Sequence, residues 1–166
     1  ALAFGLPLLW FAIALWAHRA TLDFTILGHD SYPLLESAAC ADLADLPGVL
    51  TKPFLEGNFM AKLHRPGQNL FLAAEWATFG FDPRGYQVVQ WLNWSLMILA
   101  VHALVLRLVG YAAGHWASVP AALAAGLTTA TLAVHPIAWE AIPVLSRDHD
   151  PLVLGLGWWT LFLLAK

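Results

Sequence analysis

The chain has 166 residues, of which 60% are apolar and only 11% are charged. A water-soluble domain carries about a quarter charged residues, so this balance excludes a disordered chain, a nucleic-acid binder and most soluble enzymes. The formal charge of −3 implies no partner by itself.

The class that remains is all-α and membrane-embedded. Its nine Trp, nine Phe and three Tyr suit lipid contact and membrane interfaces. The single cysteine, Cys40, excludes an internal disulfide and a cysteine-built metal cage. It reads as a small buried or lipid-facing side chain.

A helix crossing a bilayer needs about 20 apolar residues, because it rises about 1.5 Å per residue through about 30 Å of hydrocarbon. Four stretches meet or approach this. The first is 1–17, ended by His18 and Arg19. The second is 86–109, interrupted by Arg107. The third is 116–134, with Pro120 inside, and the fourth is 151–165. The first and last are short for a full crossing. The chain begins inside an apolar run with no initiator Met and no basic flank, which argues against a signal peptide. It therefore reads as one membrane domain over 1–166, a piece of a longer protein.

Residues 18–85 form a long first loop, too patterned for a plain linker. Leu34 to Leu46 predicts a helix closed by Pro47-Gly48, and 53–61 is a short apolar piece. Gln68 to Phe79 predicts an amphipathic helix, started by Pro66-Gly67 and stopped by Gly80, lying at the membrane surface. Four crossings place loops 18–85 and 135–150 on one side and loop 110–115 on the other. Lys and Arg do not orient this, since Arg19, Arg84 and Arg147 flank one side while Arg107 and Lys166 flank the other.

Three polar groups fall in the two same-side loops: Gly28-His29-Asp30-Ser31-Tyr32, then His64-Arg65-Pro66, then His135-Pro136 with Glu140 and Arg147-Asp148-His149-Asp150. Together they offer carboxylates, imidazoles and guanidiniums at one membrane face. Arg binds phosphate oxygens as a bidentate fork, and Asp or His takes a proton from an acceptor hydroxyl. Asp148 and Asp150 equally suit the cap of a helix starting near Pro151. His135 and Glu140 do not share a helical face, so they are not the paired ligands of a zinc helix; His29, Asp30 and His64 have no spacing that demands a metal. In the second span Gln87, Gln90 and Trp94 share a face, where polar side chains turn toward protein or a cavity. His102 is central in the same span. Hydrogen bonding to a neighbouring helix is the expected role, with ligation of a pigment or haem iron the sharper one.

The order of these features resembles the GT-C superfamily of polytopic glycosyltransferases. It looks closest to the protein O-mannosyltransferase-like branch, which includes the transmembrane and tetratricopeptide-repeat proteins and bacterial relatives. Residues 28–32 (GHDSY) stand where that branch has an Asp in its first outer loop. Residues 64–86 resemble its Tyr-Arg-Pro-Leu segment and Phe-Gly-x-x-Pro-x-Gly-Tyr run, and 133–165 its His-Pro-x-x-x-Glu-Ala segment with an Arg-Asp cluster.

The resemblance implies transfer of a sugar from a polyprenyl-phosphate carrier to an acceptor, at the outer face of a bacterial inner membrane or its equivalent. Asp30 would be the catalytic residue, as base or metal-site acid, Arg65 and Arg147 would hold the carrier phosphate, and His29, His64, His135 and Glu140 would shape the site. The resemblance leaves a divalent metal open. The branch usually has two adjacent acids where this chain has His29-Asp30, and His, Asn and His where it has Gln87, Gln90 and Trp94. These departures motivate a second expectation: a non-catalytic GT-C-derived subunit of a larger photosynthetic or respiratory membrane complex.

Overall fold

The computed structural model describes residues 2–25, 31–39, 43–51, 65–115, 118–136 and 149–165. Among them the fold is all helical. α1 spans Leu2–His18 and runs into a 3-10 turn, Arg19–Asp23. α2 is Ser31–Ala38, α3 is Leu46–Thr51 and α4 is Pro66–Phe79. α5 is Pro83–Ala112, α6 is Val119–Val134 and α7 is His149–Leu164.

α5 is the hub. Its 30 residues extend about 45 Å, and it is long and apolar enough to cross a membrane. α1, α6 and α7 have 17, 16 and 16 residues, about 24–26 Å each. α6 and α7 lie along α5, and α1 leans on both α6 and α5.

Small residues permit the close approaches. A Cβ on Gly155 of α7 would come 3.3 Å from the Met97 Cα of α5, and one on Gly126 of α6 would come 3.1 Å from Leu6 of α1. α6 turns Ala121, Ala122 and Ala125 onto Leu106. These contacts also set direction. His102 meets Thr129 while Leu106 meets Ala121–Ala125, so α6 is antiparallel to α5. Gly155 meets Met97 while Phe162 meets Arg107, so α7 is parallel to it. The four long helices alternate up and down, and the chain enters and leaves residues 26–30 and 137–148 at the same end of the bundle.

The helix starts follow their sequence signals. Asp82 caps α5 by accepting from the Arg84 N–H at 3.0 Å, with Pro83 in the first turn. Ser118 caps α6 in the same way through Ala121 N–H at 3.3 Å, with Pro120 following. That cap starts α6 at Val119 rather than at Trp116. α5 extends three residues beyond the expected span at each end. α7 starts at His149, ahead of Pro151, with Asp150 in its first turn.

The helix expected over 34–46 is corrected. α2 ends at Ala38, and a 3-10 turn, Leu43–Asp45, leads into α3. Pro47 and Gly48 lie inside α3 and do not close a helix. Proline is tolerated at the first turn, where its missing N–H would have had no intrahelical partner. The 53–61 piece lies outside the described residues.

α2 and α3 pack on α4 to form a small layer beside the start of α5. Its apolar centre is Leu34, Leu35, Leu72 and Tyr86, flanked by Trp76 and Phe79. Asn69 of α4 donates to the Val49 carbonyl of α3 at 3.2 Å, satisfying an acceptor at that short helix's end.

Candidate functional site

The α4–α5 corner builds the frame. Gly80 takes φ +53, which favours glycine, and its N–H returns to the Trp76 carbonyl at 2.8 Å. The Tyr86 hydroxyl donates to the Gly80 carbonyl at 2.8 Å, and the Phe79 and Tyr86 rings meet edge to face at 5.6 Å. Gly85 leaves the space that the Phe79 ring fills.

Around this corner polar side chains are buried beside the apolar centre, while large apolar ones stand exposed. α4 buries Gln68, Asn69 and Glu75 while Leu70 and, at the turn, Phe81 stand exposed. The first half of α5 buries Gln87, Gln90, Asn93 and Ser95 and exposes Val88, Leu92 and Leu96. Helices of water-soluble proteins do the opposite. Glu75 is 4% exposed and Gln90 1%, so the polar groups face the interior and are not merely crowded.

A relay of hydrogen bonds ties this interior to the other helix ends. The Trp91 indole donates to Thr21 Oγ1 at 2.8 Å, and Thr21 Oγ1 donates to the His18 carbonyl at 2.8 Å. His18 Nε2 lies 3.0 Å from the Ala133 carbonyl. A carbonyl only accepts, so Nε2 carries the proton. α1, α5 and α6 are thereby clamped at one end, beside the polar patch. Three atoms in the patch have no hydrogen-bond partner among the described residues: Gln87 Oε1, Asn93 Nδ2 and Trp94 Nε1. Each left so costs about 1–3 kcal/mol. Two acceptor-donor amides and an indole N–H are the groups that bind hydroxyls of a polar ligand.

Deeper in the bundle His102 Nδ1 lies 2.7 Å from Thr129 Oγ1, and Thr129 Oγ1 donates to the Ala125 carbonyl at 2.6 Å. The threonine proton is thus committed, so His102 must donate from Nδ1. This is the interhelical hydrogen bond expected for a histidine in an apolar helix. Among the described residues no group of three or more metal-capable side chains gathers.

An apolar groove of about 1060 Å³ runs between α5, α6 and α7. Trp94 and Asp150 lie at one end, Leu104, Leu108 and Trp158 toward the other.

Of the residues singled out by sequence, Arg65 and His135 are described. Arg65 is the half-buried N-cap residue of α4, and its guanidinium lies 3.4 Å from Gln68 Oε1. His135 is exposed at the end of α6, two residues past the carbonyl that holds His18. Asp30, Arg147, His29, His64 and Glu140 lie outside the described residues. Of the described residues on either side of these segments, Thr21 accepts from Trp91, and Asp150 shares a groove with Trp94, one turn along α5. Gln87, Gln90 and Trp94 are together buried on the inner face, as their spacing required. Sequence reasoning passed over Glu75, His18 and Thr21. For Glu75 a signal existed, a lone carboxylate inside the apolar run LFLAAEWATF. No protein-family model, curated protein or solved structure matches this chain.

Proposed function

We propose that the chain is a polytopic membrane protein of the GT-C type that transfers a sugar from a polyprenyl phosphate to an acceptor at the outer membrane face. The observation that carries the reading is the burial of polar side chains at the α4–α5 corner beneath an exposed apolar face. Amides and a carboxylate point inward and large apolar side chains point outward. The apolar surface continues along the other helices through Leu8, Leu9, Leu123, Leu127, Leu156 and Leu163, all more than half exposed. A soluble monomer does not carry so much contiguous apolar surface, whereas lipid accepts it, and buried polar groups in a membrane mark function.

In this reading the polar interior holds the sugar hydroxyls. Arg65 and Arg147 hold the phosphate, and Asp30 accepts the acceptor's proton. The acceptor oxygen bonds to the anomeric carbon as the carbon–oxygen bond to phosphate breaks, and the electron pair leaves with the polyprenyl phosphate. His29, His64, His135 and Glu140 shape the surrounding loops.

The test uses the full chain in liposomes with a polyprenyl-phosphate mannose carrying tritium in the sugar. Asp30→Asn is expected to lower transfer by at least 10²-fold, the usual worth of a general base, while carrier binding persists. Arg65→Gln is expected to weaken carrier binding. Transfer by Asp30→Asn at the wild-type rate, or no carrier binding by the wild type, overturns the proposal. The same apolar surface favours a second reading, a non-catalytic subunit covered by other membrane chains. Stoichiometric isolation with such chains, together with absent transfer, would decide for it.

A further inference from the structure

The α5–α6–α7 groove has a chemical polarity that the proposed sugar site does not use. All eleven acids of the chain fall within residues 23–82 or 140–150, and between 83 and 139 the only charged residues are Arg84 and Arg107. Asp150 stands at one end of the groove. Toward the other, Arg107 lies on the same turns of α5 as the lining residues Leu104 and Leu108. Its guanidinium donates to the Phe162 carbonyl at 2.9 Å and lies 5.1 Å over the Phe162 ring. Those two contacts fix the group in place and use one of its five N–H donors. No carboxylate among the described residues pairs with it.

The geometry points to a binding site for one anionic phospholipid, its phosphate on Arg107 and an acyl chain in the groove. From Trp94 to Leu108 the groove follows α5 for about 21 Å, longer than the roughly 15 Å depth of one leaflet. An acyl chain starting at the Arg107 end is therefore covered along its whole length. Charge complementarity, not apolar area, makes this a phospholipid site. The site rests on the membrane reading and is independent of sugar transfer. Resistance of the full chain to extraction from membranes by alkaline carbonate tests that reading separately.

The experiment reads lipid bound to the full chain in maltoside detergent by native mass spectrometry. The probes are palmitoyl-oleoyl phosphatidylglycerol and the matching phosphatidylcholine. Phosphatidylglycerol is expected to be retained roughly tenfold more, the worth of one charge-assisted phosphate contact. Arg107→Gln is expected to abolish that preference, and Arg107→Lys to keep part of it. Leu154→Trp fills the groove while leaving Arg107 intact, and is expected to lower retention of both lipids. This variant keeps the test decisive if Arg107→Gln does not fold. Equal retention of the two lipids by the wild type, an undiminished preference in Arg107→Gln, or full retention by Leu154→Trp overturns the proposal. So does displacement of phosphatidylglycerol by polyprenyl phosphate, which would give the groove to the sugar carrier.

Discussion

His102 illustrates how one buried residue is constrained by its acceptor. Thr129 Oγ1 gives its only proton to Ala125 O and takes one from His102 Nδ1, joining α5 to α6 where both are apolar. Thr129→Val removes that acceptor and leaves a buried N–H. It is expected to destabilise the chain by about 1–3 kcal/mol, whereas Thr129→Ser keeps the oxygen and loses only a buried methyl group, about 0.8 kcal/mol. Thermal unfolding in detergent, followed by circular dichroism, checks the contrast. Wild-type stability in Thr129→Val would mean that the hydrogen bond contributes nothing there. The sequence identified His102 as a residue needing a partner. It did not identify Thr129, because 27 residues separate them and only helix packing brings them together.

At the scale of elements, the α4–α5 corner decides which way two polar helix faces turn. The chain reverses through Gly80 at φ +53, and the Tyr86 hydroxyl holds that turn by its bond to the Gly80 carbonyl. Gly80→Ala is expected to cost about 1–3 kcal/mol in backbone strain, and Tyr86→Phe about 0.5–1.5 kcal/mol. Gly48→Ala, where an added Cβ meets nothing, is the matched control and should hold or raise the midpoint of thermal unfolding, since alanine suits a helix better than glycine by about 0.5–1 kcal/mol. A midpoint undisturbed by Gly80→Ala would show that the turn relaxes freely. The start and stop of α4 were legible in Pro66 and Gly80. The break between α2 and α3 was not, because a proline reads as a terminator until the fold shows that it begins a helix.

At the scale of the molecule, the helix directions place Asp23 and Asp82 at one end and Tyr111 at the other. Arg84 and Asp23, 3.9 Å apart, are both well exposed, so their pairing reports proximity and contributes little stability. If α5 crosses a bilayer, cysteines at positions 23 and 82 react with an impermeant maleimide from the same side of sealed vesicles. A cysteine at position 111 reacts only from the other side. The labelling is read in a Cys40→Ser background. Reaction of positions 82 and 111 from one side would show that α5 does not cross.

What the sequence determined by itself was composition and local preference. Few charges and long apolar runs demanded helices, since only a helix satisfies its backbone hydrogen bonds within one apolar segment. Caps and prolines marked most of the starts, and the spacing of Gln87, Gln90 and Trp94 put them on one face. The tertiary structure decided which faces turn inward. It buried Glu75 on α4 and the amides on α5, joined His18 to Ala133 across 115 positions, and set Asp150 and Arg107 toward opposite ends of one groove. Those outcomes depend on close packing between distant segments, where a glycine such as Gly155 lets two helices touch, and no local pattern encodes which segment arrives to touch it.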